Sequence, residues 1–325
     1  MIDVIIPVYN TPIKDLNRCL NSILRQDYKK YKVYIIDDGS KDNVSMYLDN
    51  YVRDKKNFYV KHISNGGVSN ARNIGLKLSN SPYVAFVDSD DTLTDHFFSE
   101  SVSILEEHNL DMVVGGYNEV ADSYVYKIRK CKSGLHIYQN KRLVRYFDKL
   151  LSSKLSNDNI EIDSTPTGRI YTKLYKREVF DNVLFNRNIK ISEDTLFLID
   201  IMKNIKKIGV TSNIWYNYYQ NYYSIVHKST SEKDINILLD FINEIYKRML
   251  KTKNNRIKNA YRYRIFKASC DLYDKIIKTK LIEPKEIFSM NLFRKTFSEL
   301  DINCYIDVSN KEKEYYNKLL NYINN

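Results

Sequence analysis

The chain has 325 residues, a formal net charge of +11, and 28 tyrosines against only 9 glycines and 5 prolines. That length buries a core without help from a metal or disulfide, and the scarcity of Gly and Pro argues against linkers and disorder. The basic balance implies attraction to polyanions, whether nucleic acid, anionic lipid or phosphorylated substrates, and does not choose among them. Cys19, Cys131, Cys270 and Cys304 stand far apart with no CxxC pair, so neither a zinc site nor a secreted disulfide framework is expected. No stretch approaches the ~20 apolar residues that span a bilayer, and the N-terminus enters a strand without a secretory leader. The expected location is cytoplasmic.

Residues 1 to about 118 alternate strand-like and helix-like patterns, the mark of βαβ units building a mostly parallel sheet. Val4-Ile5-Ile6 reads as a strand ending in Pro7-Val8-Tyr9-Asn10. Leu16, Cys19, Leu20, Ile23 and Leu24 then recur at helical spacing, with Asp15 in the first turn. Val33 to Ile36 is a second strand, ending in Asp37-Asp38-Gly39-Ser40. Phe58 to Ile63 is a further strand and Asn70 to Leu78 a short helix. Tyr83-Val84-Ala85-Phe86-Val87 empties into Asp88-Ser89-Asp90-Asp91, and a helix follows over Asp95 to Glu107. Met112-Val113-Val114 is a strand closed by Gly115-Gly116. From 119 to 228 the pattern is less regular, with strands near Val125 to Ile128 and Ile214 to Tyr219 and helices near Arg142 to Leu151 and Thr195 to Asn204. Beyond Ser229 an apolar stripe (Ile235, Leu238, Leu239, Ile242, Ile245, Met249, Leu250) opens a region that reads as wholly helical.

Three strands that end in polar clusters on one sheet edge suggest a single site, because open α/β sheets bind ligands outside the carboxyl ends of their strands. The carboxylates of Asp88, Asp90 and Asp91 are hard oxygen ligands suited to Mg²⁺ or Mn²⁺. Taken alone, Asp37-Asp38-Gly39-Ser40 is ordinary turn chemistry. In order with Pro7-Val8-Tyr9-Asn10, with Gly66-Gly67-Val68-Ser69-Asn70-Ala71-Arg72-Asn73-Ile74-Gly75 and with Asp88-Ser89-Asp90-Asp91, the series resembles the family 2 glycosyltransferases, inverting enzymes of the GT-A fold. The resemblance covers about residues 1 to 118. It continues more weakly through Lys173-Leu174-Tyr175-Lys176-Arg177 and Ser192-Glu193-Asp194-Thr195.

The resemblance implies a catalytic domain over 1–228, with a nucleotide-sugar half (1–118) and an acceptor half (119–228), followed by a helical subdomain over 229–325. It implies that Pro7, Val8 and Tyr9 line a base pocket and that Asp38 accepts a hydrogen bond from the uracil ring nitrogen, a role open to an acceptor-only carboxylate. Arg72 either approaches the diphosphate or braces the loop. Asp90 ligates a divalent ion bridging the phosphates, while Asp88 contacts the ribose or reaches the ion through water, with Ser89 counted among the donor-binding residues. Asp91 is read as the N-cap of the helix over Asp95 to Glu107. Asp194 is the general base, with capping of the following helix by Glu193 or Asp194 as the alternative. In the run from Trp215 to His227, many relatives carry an Arg near Gln220. Its absence puts a phosphate contact in doubt, which Lys228 or His227 would replace, and His227 is also a candidate metal ligand.

Nine basic residues fall between Lys247 and Lys267 with no Asp or Glu among them. With Met249, Leu250, Ile257, Ile265 and Phe266 they suggest a basic amphipathic surface on an anionic membrane, holding the protein on the inner face of the plasma membrane near its acceptor, with a solvated helical face as the alternative. The expected function is transfer of a hexose or N-acetylhexosamine from a UDP-sugar to a glycan or polyprenyl-diphosphate-linked acceptor in bacterial surface polysaccharide synthesis. A nucleotidyltransferase is the first alternative, but its Gly-rich basic loop is missing after the first strand. A nucleic-acid-binding protein is the second, and the carboxylate cluster, which repels phosphate unless a metal intervenes, makes nucleic acid an unexpected partner.

Overall fold

The computed structural model describes residues 1–121, 124–152, 168–220, 231–305 and 308–324. They fall into two compact units: Met1–Leu143 with Asp163–Arg187 and Glu193–Tyr222, and Val144–Ile162 with Asn188–Ser192 and Tyr223–Asn325.

The chain opens with β1 (Ile2–Val8), α1 (Ile13–Leu24), β2 (Tyr31–Asp37), α2 (Asp42–Val52), β3 (Phe58–His62), α3 (Val68–Leu78) and β4 (Tyr83–Phe86). β1 lies between β2 and β4 and runs parallel to both, so the three carboxyl ends open on one edge. Ile2, Val4, Ile6 and Val8 of β1 join Leu16, Cys19, Leu20 and Ile23 of α1 in one core. Ile5, on the other face, meets α3 at Gly75, where a Cβ would lie 2.4 Å from the Ile5 side chain. Burial on both faces is why this strand reads as an apolar run from Val4 to Val8 rather than an alternation.

β5 (Thr92–Leu93), α4 (Phe97–Glu107), β6 (Met112–Ala121), β7 (Tyr124–Arg129), β8 (Leu135–Gln139), α5 (Lys141–Ser152), β9 (Lys173–Lys176), α6 (Glu193–Ile201) and β10 (Lys207–Tyr219) follow. The strand order is β3-β2-β1-β4-β9-β6-β10-β5, with β7 on β6 and β8 on β10. The parallel sheet expected from the sequence describes β1 to β4. Beyond them the sheet is mixed, because β9 runs antiparallel to both β4 and β6. Phe86 of β4 meets Phe180, Phe185 and Phe197 edge-on, which packs α6 against the sheet and brings its first residues toward the β4 end.

Two local expectations change. Gly115-Gly116 does not close β6, which runs on to Ala121. A Cβ on Gly115 would lie 2.3 Å from the Trp215 ring and one on Gly116 2.6 Å from the Arg129 carbonyl, so both glycines allow close approach within the sheet. Asp91 does not cap α4, which starts six residues later with His96 at its N-cap position.

The second unit contains α7 (Glu232–Lys251), α8 (Asn255–Thr279), α9 (Pro284–Phe288), α10 (Asn291–Ser298) and α11 (Asn310–Asn324). Ser231 and Asp234 close a box at the start of α7, with the Ser231 amide 2.9 Å from Asp234 Oδ2. Asn254 caps α8, accepting the Ile257 N–H at 3.1 Å. The basic stretch is not a uniform cationic face. Lys247 and Arg248 pair with Glu244, Arg256 with Asp148, Arg262 with Glu299 and Lys267 with Glu312. Met249, Ile257, Ile265 and Phe266 are buried in the core, and Leu250 alone of the five apolar residues is exposed. The acids that neutralise the stretch lie outside its sequence window. Among the described residues no helix is long and apolar enough to cross a membrane.

Candidate active site

The ends of β1 and β2 are laced together. Asp38 N–H donates to the Val8 carbonyl at 2.8 Å. Asn10, in the left-handed region at φ 51, donates its N–H to Ser40 Oγ at 2.9 Å and accepts from Lys41 N–H at 2.9 Å through Oδ1. Asp37 is buried and accepts from Ser40 N–H, Ser45 Oγ and the His62 ring. Asp38 is buried too, and its two carboxylate oxygens accept from Gly66 N–H at 2.8 Å and Gly67 N–H at 2.7 Å. Gly67 needs its φ of +85 to present that amide as α3 begins. Each Asp38 oxygen keeps a second lone pair, so a ring N–H still finds an acceptor there. Of the three base-pocket candidates, Val8 turns its side chain into the core, Pro7 is half-buried and Tyr9 is exposed.

Asp88-Ser89-Asp90-Asp91 is held from three sides. From α1, Arg18 donates to the Asp90 carbonyl at 2.7 Å, and the Cys19 thiol points at the Asp88 carbonyl at 3.6 Å. From the β1 loop, Thr11 Oγ1 and Ser89 Oγ share a hydrogen bond of 2.6 Å. From β10, the Tyr216 hydroxyl accepts the Asp88 N–H at 3.1 Å and donates to Asp91 Oδ2 at 2.8 Å, and Tyr219 N–H donates to Asp91 Oδ1 at 2.8 Å. Asp91 is therefore structural, as a tie to β10 rather than a helix cap. Burial first, then the charges of Asp90 and Asp88, hold its carboxyl well above the usual carboxylate range.

Arg72, on α3 and buried, joins this loop to the start of α6. One guanidinium nitrogen donates to Asp88 Oδ1 at 3.0 Å and another to Glu193 Oε1 at 2.9 Å. The sequence left Arg72 between touching the diphosphate and bracing the loop; the structure shows it bracing. Asp194, beside Glu193, accepts the Thr195 N–H through Oδ1 at 2.7 Å, and its other oxygen has no partner among the described residues. Burial, and next the Glu193 charge, push Asp194 up to about 6, against the pull of Arg72. Lys173 is fully buried with its ammonium on the carbonyls of Arg169 and Tyr171, and burial lowers it to about 7.

Asp88, Asp90, Arg72 and Asp194 are thus drawn to one sheet edge, with Asp38 on the same edge at the end of β2, across β1 from β4. His227 and Lys228 lie outside the described residues. Among the described residues no group of three or more His, Cys, Asp or Glu is set to hold a metal. Mg²⁺ and Mn²⁺ need no such cage, since one or two carboxylates with substrate phosphates and water complete their shell. Asp88 and Asp90, two carboxylates two residues apart at one strand end, are hard oxygen donors of that kind, so the residues present fit such an ion. Tyr216, Arg18 and the pairing of Glu193 with Arg72 escaped the sequence reading; their contacts span 128, 72 and 121 residues and leave no local signal.

Comparison with known proteins places this edge in context. The family model described as glycosyl transferase family 2 matches residues 3–184. The uncharacterized glycosyltransferase EpsJ of Bacillus subtilis (strain 168) is 25% identical over 224 residues, 68% of this chain, and the chain spans only 61% of that protein's length. The poly(ribitol-phosphate) beta-N-acetylglucosaminyltransferase TarP of Staphylococcus aureus (strain N315) is 29% identical over 266 residues, 77% of this chain and 72% of that protein. Among solved structures, residues 1–349 of S. aureus TarS in complex with UDP-GlcNAc match with a TM-score of 0.67 at 21% identity, covering 92% of this chain and 81% of that one. That likeness is one of fold, and the fold is GT-A. Since the family match runs from β1 past β9 and takes in each of the strand-end motifs above, the chain belongs to glycosyl transferase family 2.

Proposed function

We propose that the protein transfers an N-acetylhexosamine or hexose from a UDP-sugar to a hydroxyl of a surface-polysaccharide acceptor, with inversion at the anomeric carbon. The observation that carries this reading is the buried Arg72 bridge between Asp88 and Glu193, which sets the donor-side carboxylates beside Asp194. Inversion requires a base on the face opposite the leaving group. In this reading Asp194 takes the acceptor hydroxyl proton as the new C–O bond forms and the bond from the anomeric carbon to the diphosphate breaks, releasing UDP. Asp38 with the loop of Pro7, Val8 and Tyr9 receives the uracil, and Asp88 and Ser89 orient the ribose and diphosphate. Asp90, with Asp88 near it, would hold Mn²⁺ or Mg²⁺. When bound, that ion neutralises charge building on the departing diphosphate.

UDP-GlcNAc is the first donor to try, because TarP carries N-acetylglucosaminyl transfer in its name. By the same token poly(ribitol phosphate) joins glycan and polyprenyl-diphosphate-linked chains as a candidate acceptor. A catalytic domain over 1–228 with a helical subdomain over 229–325 remains the proposed organisation. Neither alternative gains support, since the first strand ends in no basic Gly-rich loop and the site is lined with carboxylates. The test is metal-dependent release of UDP from a panel of UDP-sugars. Asp90→Ala is expected to abolish the metal dependence. Asp194→Asn is expected to lower kcat about 10²–10⁴-fold with UDP affinity within a few-fold of wild type. Wild-type turnover by Asp194→Asn would remove it as the base.

A further inference from the structure

The site has a cation for which the reading above has no task. Arg169 is exposed, and its guanidinium lies 5.0, 5.6 and 5.9 Å from the ring centres of Tyr218, Tyr171 and Tyr117. Tyr171 stacks on Tyr216 at 4.3 Å and 7°, and Tyr216 is the residue that holds Asp88 and Asp91. The backbone on either side is fixed from the base side. Thr195 Oγ1 donates to the Gly168 carbonyl at 3.1 Å, and the buried Lys173 ammonium donates to the Arg169 carbonyl. Arg169 is therefore held between the metal-loop tie and the residue that follows Asp194.

Two further observations point to a ligand. The Tyr171 hydroxyl is buried with no hydrogen-bond partner among the described residues, a cost that a native site carries when a ligand supplies the missing partner. The neighbouring guanidinium groups are already committed, Arg72 to Asp88 and Glu193 and Arg18 to the Asp90 carbonyl and Asp15. Arg169 makes no ion pair among the described residues; the Tyr117 hydroxyl takes one of its hydrogen bonds, and the aromatic platform orients the rest of its five-donor planar fork.

We propose that Arg169, together with the Tyr171 hydroxyl, binds a phosphoryl group between Asp88 and Asp194. The shared chemistry is a phosphate oxygen pair accepting from a guanidinium fork. It has two sources, the diphosphate of the donor and a phosphodiester of the acceptor. Arg169 would then fill the place left without an arginine at Gln220. The proposal rests on the sugar-transfer reading.

The experiment titrates UDP, uridine and poly(ribitol phosphate), each with Mn²⁺, into the full wild-type chain and into Arg169→Ala, Arg169→Lys and Tyr171→Phe. Unchanged thermal melting of Arg169→Ala, expected for an exposed side chain, serves as the control for folding. Weakening of UDP by about tenfold or more in Arg169→Ala, with uridine unaffected and partial recovery in Arg169→Lys, assigns the donor phosphate. Unaltered UDP binding with a comparable loss toward poly(ribitol phosphate) assigns the acceptor phosphate. Affinities for both within twofold of wild type overturn the proposal alone. A wild-type chain that binds neither compound removes the sugar-transfer reading and this proposal with it.

Discussion

Asp194 takes its proton affinity from its neighbours. With burial and Glu193 raising it to about 6, kcat/KM should climb as pH rises through about 6 and level off above, because only the ionised carboxylate accepts a proton. Glu193→Gln removes a negative neighbour yet keeps an oxygen for Arg72. It should therefore ease ionisation of Asp194 and move the limb to lower pH. A limb that stays in place in the pH–rate profile of Glu193→Gln would mean that Glu193 does not set it. At this scale the sequence revealed the carboxylates and concealed their partners. Asp88, Asp90 and Asp194 were legible because strand ends and a resemblance mark them. Tyr216 and Arg169 were not, since a tyrosine in an aromatic run and an arginine in a loop carry no pattern until the fold sets Tyr216 on Asp91 and Arg169 over Tyr117 and Tyr218.

At the scale of elements, periodicity gave α1, α3 and α7 within a few residues, since each buries one stripe against a core. β8 and β9 were missed as strands because five and four residues are too few to show a period. The glycines of β6 were misread because glycine marks turns and close approaches alike. Gly115 offers a test. Its missing Cβ leaves room for the Trp215 ring, whose Nε1 donates to Glu100 at 2.7 Å and so is not free to swing aside. Gly115→Ala should cost about 1–3 kcal/mol or more in urea denaturation. A loss under about 0.5 kcal/mol would show that β6 and β10 separate easily.

For the whole molecule, net charge misled more than it informed. The +11 total is real, yet cations in the basic stretch meet acids from α5, α7, α11 and the turn after α10. Lys251 and Lys253, both exposed at the turn between α7 and α8, are the cations of the stretch best placed to attract an anionic membrane. The double variant Lys251→Glu, Lys253→Glu should lower co-sedimentation with phosphatidylserine vesicles severalfold at low salt, at roughly 1 kcal/mol per charge near the surface. Equal binding by wild type and variant would move the attraction elsewhere, and no binding by wild type would remove the membrane proposal.

The Arg72 bridge also bears on how members of this family can be recombined. A chimera that joins the first 118 residues of this chain to the acceptor half of a relative takes Arg72 and Asp88 from one parent and its counterpart of Glu193 from the other. If the incoming residue is not an acid of the right reach, a buried guanidinium is left half-paired, a loss of about 3–5 kcal/mol when one partner of a buried ion pair is removed. Grafts that exchange acceptor specificity should therefore be cut so that these three residues travel as a unit.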